Sequence, residues 1–299
     1  MRNTALLATC HSLLAVCFVR ADTTIDATDK YAYGANIGWI NLEGNGTDGV
    51  VVGEYFLSGF AYGANVGWID FGDGSPTNST AYSNDSGEDF GVNQDGAGNL
   101  SGLAYGANIG WINFGWAGRE DENRPRVDLS SGAFKGFAYG ANIGWINLGA
   151  GFLATDTVFC ADRDGDGISD VWETLHFRNL ATAGGTSDQD RDGISDKDEY
   201  FGGSDPNDGA SFMRVVSISQ VQNSPTTRRA ALEFMTTPAR RYRIMISSDL
   251  QSFSDSGLGE FAPSAGTTTT KVVAGRIAEH YFRVVAVKPL QAPNGEERE

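Results

Sequence analysis

Alternation of apolar and polar positions marks a strand with one buried face. In Val66-Gly-Trp-Ile-Asp-Phe71, Ile69 and Phe71 point to one side and Trp68 and Asp70 to the other. This stretch belongs to a phrase written four times. It reads Ala32-Tyr-Gly-Ala-Asn-Ile-Gly-Trp-Ile-Asn-Leu42, then Ala61-Tyr-Gly-Ala-Asn-Val-Gly-Trp-Ile-Asp-Phe71. The third copy is Ala104-Tyr-Gly-Ala-Asn-Ile-Gly-Trp-Ile-Asn-Phe114 and the fourth Ala138-Tyr-Gly-Ala-Asn-Ile-Gly-Trp-Ile-Asn-Leu148. The copies start at residues 32, 61, 104 and 138, intervals of 29, 43 and 34. A fixed phrase at variable spacing predicts one structural unit joined by loops of unequal length.

The unit reads as strand, turn, strand. Leu57 to Tyr62, Leu100 to Tyr105 and Phe134 to Tyr139 are extended approaches, and Val50 to Val52 and Arg126 to Asp128 are earlier short strands. Gly63-Ala64-Asn65 is the expected turn, since Gly and Asn tolerate positive φ. Such a unit cannot bury its own apolar face, so four copies must stack or close on one another. A prism, a barrel or a solenoid would each do so. The second face carries Tyr33 with Trp39, Tyr62 with Trp68, Tyr105 with Trp111 and Tyr139 with Trp145. Each tryptophan is either a packing knob of the repeat or, with its tyrosine, a stacking platform for a sugar ring.

Alternation returns near the C-terminus, where Tyr242, Ile244 and Ile246 interleave with Arg243 and Met245. Val215 to Ile218, Ala230 to Met235, Arg241 to Ser247, Lys271 to Val273 and His280 to Val287 read as strands, which fits a small β-sandwich.

Between these β regions the pattern changes to acid. Asp162-Arg-Asp-Gly-Asp-Gly-Ile-Ser-Asp-Val-Trp-Glu173 and Asp188-Gln-Asp-Arg-Asp-Gly-Ile-Ser-Asp-Lys-Asp-Glu199 share the form D-x-D-x-D-G-I-S-D-x-x-E. Carboxylates at positions 1, 3, 5, 9 and 12 around a fixed glycine suit a hard cation, above all Ca2+. The expected ligands are Asp162, Asp164, Asp166, Asp170 and Glu173 in the first loop. In the second they are Asp188, Asp190, Asp192, Asp196 and Glu199. A backbone carbonyl near Ile168 or Ser169, and its counterpart in the second loop near Ile194, would add a neutral ligand. Magnesium, which keeps several waters, fits less well. Isoleucine stands at position 7 rather than at the EF-hand position 8, and no helix signal precedes either loop. Short helices are expected after each, the better marked over Val171 to Phe177. Without cations such a density of acid favours a solvated, disordered linker. Two dications would order it.

These loops, with Trp172 to Phe177, Asp188 to Phe201 and the exit Gly203-Ser-Asp205-Pro206, resemble the thrombospondin type 3-like calcium repeats of bacterial proteins. The resemblance implies ligation by the loop carboxylates and adds Asp205. The cysteines of animal thrombospondin repeats are absent, so their disulfides do not transfer. Arg241-Tyr242, Ser247 to Leu250 and Tyr281 to Val284 resemble the small β-domain that follows such repeats in secreted bacterial proteins. The Gly-Trp-Ile-Asn phrase resembles repeats of secreted bacterial proteins without an assigned role.

Composition narrows the setting. A net charge of -16 and a pI near 4.5 argue against nucleic acid as a partner. Met1-Arg2, the apolar run from Ala5 to Val19 and the small residues Val19 and Ala21 predict a secretory signal over 1–21. Cys10 and Cys17 would leave with it. Cys160 then remains alone and reads as a buried small hydrophobe. No membrane span is expected after cleavage. The expected organisation is a four-copy β-repeat domain over 22–158, a calcium-binding segment over 159–211, a β-sandwich over 212–290 and a flexible acidic tail over 291–299. His176 and His280 lack the partners that acid–base chemistry needs, and no nucleophile elbow or phosphate loop occurs. The reading is a non-enzymatic, calcium-stabilised exterior protein. Its expected partners are calcium ions and either polysaccharide or a cell-surface protein. A hydrolase with an unrecognised site is the remaining alternative.

Overall fold

The computed structural model describes residues 23–44, 48–118, 121–222, 228–274 and 281–290. The expected signal segment, Cys10, Cys17, His280 and the acidic tail lie outside them. The fold is mainly β. Each phrase forms one tight hairpin: β1 (Ile25–Gly34) with β2 (Gly38–Asn41), and, past the short β3 (Val51–Val52) and β4 (Leu57–Ser58), β5 (Phe60–Gly63) with β6 (Gly67–Asp70). After β7 (Val92–Gln94) come β8 (Leu100–Gly106) and β9 (Gly110–Asn113). After β10 (Arg126–Val127) and β11 (Phe134–Lys135) come β12 (Phe137–Gly140) and β13 (Gly144–Asn147), then β14 (Leu153–Thr155).

The hairpins pair side by side, and β13 pairs back onto β1 through Tyr33↔Asn147 and Gly34↔Ile146. The result is a closed, eight-stranded antiparallel barrel with no free sheet edge. Of the three closures open to the sequence, the barrel is the one formed.

Each position of the phrase has a physical reason. Ala32, Ala61, Ala104 and Ala138 face Ile40, Ile69, Ile112 and Ile146 across the strand pairs, and all eight are buried. This alternation of small and large fills the narrow interior of an eight-stranded barrel. Ile37, Val66, Ile109 and Ile143 fold in from the turns and plug one end. Leu42, Phe71, Phe114 and Leu148 fill the other. The remaining void is about 10 Å3, at the lower limit for one water. The barrel is a packed core with no room for a ligand inside.

The turn differs from expectation. Positive φ falls on the following glycine, Gly67 at 82°, with equivalents at Gly38, Gly110 and Gly144, and neither Gly63 nor Asn65 adopts it. Gly63 is required by space, since a Cβ there would stand 2.7 Å from Val66 Cγ2. The asparagine has another task. Asn65 Nδ2 donates to Ile37 O, Asn108 to Val66 O, Asn142 to Ile109 O and Asn36 to Ile143 O, at 2.9–3.0 Å. Each bond ties one repeat to the one before, and the fourth closes the ring.

Two of the three extended approaches are broken, while Leu100 to Tyr105 runs unbroken within β8. Gly59 and Gly136 take φ of 86° and 78° and release β4 and β11 to pair with β3 and β10. A Cβ at either would strike a carbonyl oxygen of a neighbouring turn. In the first repeat the same place beside β1 is taken by β14 from the far end of the domain, with Ile25↔Thr155 and Lys30↔Leu153. The two ends of the repeat array thus seal each other.

Two helices follow the barrel, α1 (Asp170–Phe177) and α2 (Asp196–Gly202). Trp172 and Tyr200, one from each, pack at 5.3 Å between ring centres in a small core with Ile168 and Ala183. The C-terminal part has two three-stranded antiparallel sheets. One orders β15 (Val215–Gln222), β16 (Arg228–Met235) and β19 (Thr268–Ala274). The other orders β18 (Ser254–Asp255), β17 (Arg241–Ser247) and β20 (Tyr281–Val287). Leu232 and Phe234 of the first and Tyr242 and Ile244 of the second share one buried cluster. Among the described residues no helix is long and apolar enough to cross a membrane.

The three parts meet at one buried polar knot. Glu54, just after β3, accepts from Tyr200 Oη at 3.3 Å and pairs with Lys288 Nζ at the end of β20. Lys288 also lies 3.6 Å from the centre of the Tyr200 ring. Arg240 donates to the carbonyls of Tyr200 and Phe201 at 2.8 and 2.7 Å, capping the C-terminal end of α2. Cys160 lines the knot, with Sγ 3.7 Å from Glu54 Oε2. The small-hydrophobe expectation is therefore only half of its setting. Burial pushes its thiol up to about 12, which makes it an inert neutral group.

Candidate metal centre

The two acidic loops share one framework of turn bonds. The carboxylate at position 1 ties down the turn: Asp162 accepts from the amides of Gly165 and Gly167, and Asp188 from those of Arg191 and Gly193. Gly167 and Gly193 sit at φ of 89° and 94°, a left-handed bend that favours glycine. Asp166 and Asp192 at position 5 accept from Ile168 N and Ile194 N. Asp170 and Asp196 at position 9 reach back to Arg163 N and Gln189 N. These same aspartates open α1 and α2, so each helix begins with acid at the positive end of its dipole.

The curl brings the early carboxylates together. One ligand atom from each of Asp162, Asp164 and Asp166 lies within 4.8 Å of the others, and so it is with Asp188, Asp190 and Asp192. Glu173 and Glu199 stand beside these triads at 0 % and 1 % exposure. Both oxygens of Glu173 are buried without a hydrogen-bond partner, as are Glu199 Oε2, Asp166 Oδ2, Asp190 Oδ2 and Asp192 Oδ2. Burial of a charged oxygen without a partner costs several kcal/mol, on the order of that for any unpaired buried ion. Burial, and then the aspartates around it, pushes Glu173 up to about 8, and burial first pushes Glu199 up to about 7. Asp166 and Asp190 are raised for the same first reason. A dication bound by carboxylate oxygens would relieve all of these at once.

The other expected ligands are placed as follows. Ile168 is buried in the helix core and Ile194 half-buried, each at the same bend of its loop. Asp170 and Asp196 spend one oxygen on the loop entry and keep Oδ2 buried without a hydrogen bond; Asp170 Oδ2 lies 3.3 Å from Arg163 Nε. Asp205 joins neither triad. It is exposed and faces His176 Nδ1 at 3.6 Å. Two contributors had no mark in the spacing. Lys197 Nζ donates to Asp166 O at 2.6 Å and so joins the second helix to the first loop. Ser204 Oγ donates to Glu199 Oε1 at 3.0 Å and orients it.

No family model matches the chain, and comparison with curated proteins and with solved structures finds no match.

The tyrosine–tryptophan pairs lie on the outer wall of the barrel. The four tryptophans are 42–49 % exposed, so they are not core knobs. The inward knobs are Ala and Ile. Ring centres of the pairs are 4.7–5.1 Å apart and tilted by 54–62°. Each pair collects a further ring from outside the phrase: Phe152 at Trp39, Phe60 at Trp68, Phe90 at Trp111 and Trp116 at Trp145. Phe152, Phe90 and Trp116 stand at different distances along the chain, which hides them from a search for the phrase, whereas Phe60, like Tyr31 and Phe137, directly precedes it.

Proposed function

We propose that this chain is a secreted, calcium-binding, multidomain binding or structural protein in which two Ca2+ ions hold the joint between the barrel and a C-terminal β-sandwich. The observation that carries the reading is the pair of buried glutamates, Glu173 and Glu199, with unpartnered oxygens beside two aspartate triads. Chelation by an aspartate triad and a glutamate from the following helix needs a cation of many oxygen ligands and flexible geometry, which favours calcium over magnesium. The ions act on structure. The helices that begin at the loops carry Trp172 and Tyr200, and Tyr200 reaches the Glu54–Lys288 knot. Removing the ions leaves clustered negative charge at the start of α1 and α2, and the joint loosens. The loop carboxylates are ligands in this reading, and the proposed role is structural or binding rather than enzymatic. The apolar N-terminal run supports export to a calcium-containing exterior.

The test is thermal unfolding of the full chain in calcium and in chelator. Calcium is expected to raise Tm, and Asp166→Ala with Asp192→Ala to remove that response. Equal melting curves with and without calcium sink the proposal.

A further inference from the structure

We propose that the outer girdle of the barrel binds neutral polysaccharide, the indole of each tyrosine–tryptophan pair seating the flat face of one sugar ring and the tilted tyrosine flanking it. A pyranose with equatorial hydroxyls has an apolar C–H face and a polar rim, and an aromatic wall with donors at its edge complements both. The girdle has these parts four times. Trp116 spends its indole N–H on Phe137 O at 2.6 Å. No described residue accepts from the indoles of Trp39, Trp68, Trp111 and Trp145, which are left to meet ligand hydroxyls. A polar side chain stands between neighbouring platforms, because Tyr62 is registered opposite Asn41, Tyr105 opposite Asp70, Tyr139 opposite Asn113 and Tyr33 opposite Asn147.

Charge selects the class of ligand. None of those cross-strand partners is basic, and the chain carries a net -16. An anionic glycan or an anionic membrane would be repelled where a neutral glycan is not. Shape argues in the same direction. A closed barrel with one platform per repeat presents its rings outward on four sides, and a single flat protein surface cannot cover them. A polymer that offers ring after ring can engage several, and separate platforms can hold separate chains, so that binding gains from multivalency.

The experiment is native affinity electrophoresis of the full chain, with calcium, in gels containing soluble β-glucan or xylan, together with co-sedimentation on cellulose and chitin. Retention by at least one of these is expected. Each single variant, Trp39→Leu, Trp68→Leu, Trp111→Leu and Trp145→Leu, should weaken it about 2- to 10-fold, and the four together should abolish it. Leucine keeps apolar bulk and removes the ring, and Tm checks that each variant folds. If the quadruple variant does not fold, the four singles decide. Three results overturn the proposal. One is no retention by any of the four glycans, and another is retention unchanged by the variants. The third is tryptophan-dependent flotation with phosphatidylglycerol vesicles, or tryptophan-dependent dimerisation, in the absence of glycan binding.

Discussion

Gly63 and Gly67 stand four residues apart in the same phrase and are glycine for different reasons. Gly63 has no room for a methyl group, with Val66 Cγ2 at 2.7 Å, whereas Gly67 sits at φ of 82° and a Cβ there would meet only Asn108 Nδ2, at 3.3 Å. Gly63→Ala should therefore cost more than Gly67→Ala, whose penalty is about 1 kcal/mol. Gly87, with nothing within 4 Å of a new Cβ, should tolerate Ala. Chemical denaturation of the three variants checks the order, and equal costs would contradict it. Asn65→Ala removes one of four ring bonds at the barrel end and should cost about 1 kcal/mol, again read by denaturation. Ile69→Ala opens a cavity in a filled interior and should cost about 2–5 kcal/mol.

At the scale of elements, the twin loops and the helices they start make a pH-dependent unit. Glu173 and Glu199 are raised from 4.5 to about 8 and about 7 in the metal-free fold. The folded chain then holds protons that the unfolded chain releases. The stability these groups contribute is full below about pH 4.5 and is lost as pH rises through about 7 to 8. In chelator, Tm should fall from about pH 4.5 and level off above about pH 8, and saturating calcium should flatten the slope, because ligation requires the ionised form. A flat metal-free profile over the window would count against buried glutamates at the sites. Much of this unit was legible beforehand. Asp162 to Glu173 and Asp188 to Glu199 fix their own curl through local bonds from turn amides to aspartates, so spacing alone reads them. Ile69 and Phe71 likewise announce the core face of their strand. Long-range features were not legible. Asn65 looks like a turn residue until its partner, Ile37 of the preceding repeat, is in view. The break at Gly59 depends on the carbonyl of Gly49 beside it. Asp205 faces His176 and stands in neither triad, a placement that loop spacing does not encode. Closure as a barrel rests on β13 meeting β1, a contact between opposite ends of the array that no local pattern encodes.

At the scale of the molecule, Glu54 and Lys288 join parts more than two hundred residues apart in sequence. Neither lies in a motif, and only the fold brings them together. A buried pair of this kind is costly to half-remove. Glu54→Gln should destabilise the chain by roughly 3–5 kcal/mol by stranding Lys288 without its counter-charge, and Glu54→Gln with Lys288→Met should cost less than the single change. A double variant as damaged as the sum of the two singles would show no coupling across the knot. Tyr200 reaches this knot and stands next to Glu199 on α2, so the proposed ion site and the knot share one helix. The most direct measurement is isothermal titration of calcium into the chelator-treated full chain. Two ions per chain are expected, falling to one in Asp166→Ala or Asp192→Ala and to none in the pair. Absence of binding in the unaltered chain, or binding that persists in the paired variant, would contradict calcium as the element that holds the joint.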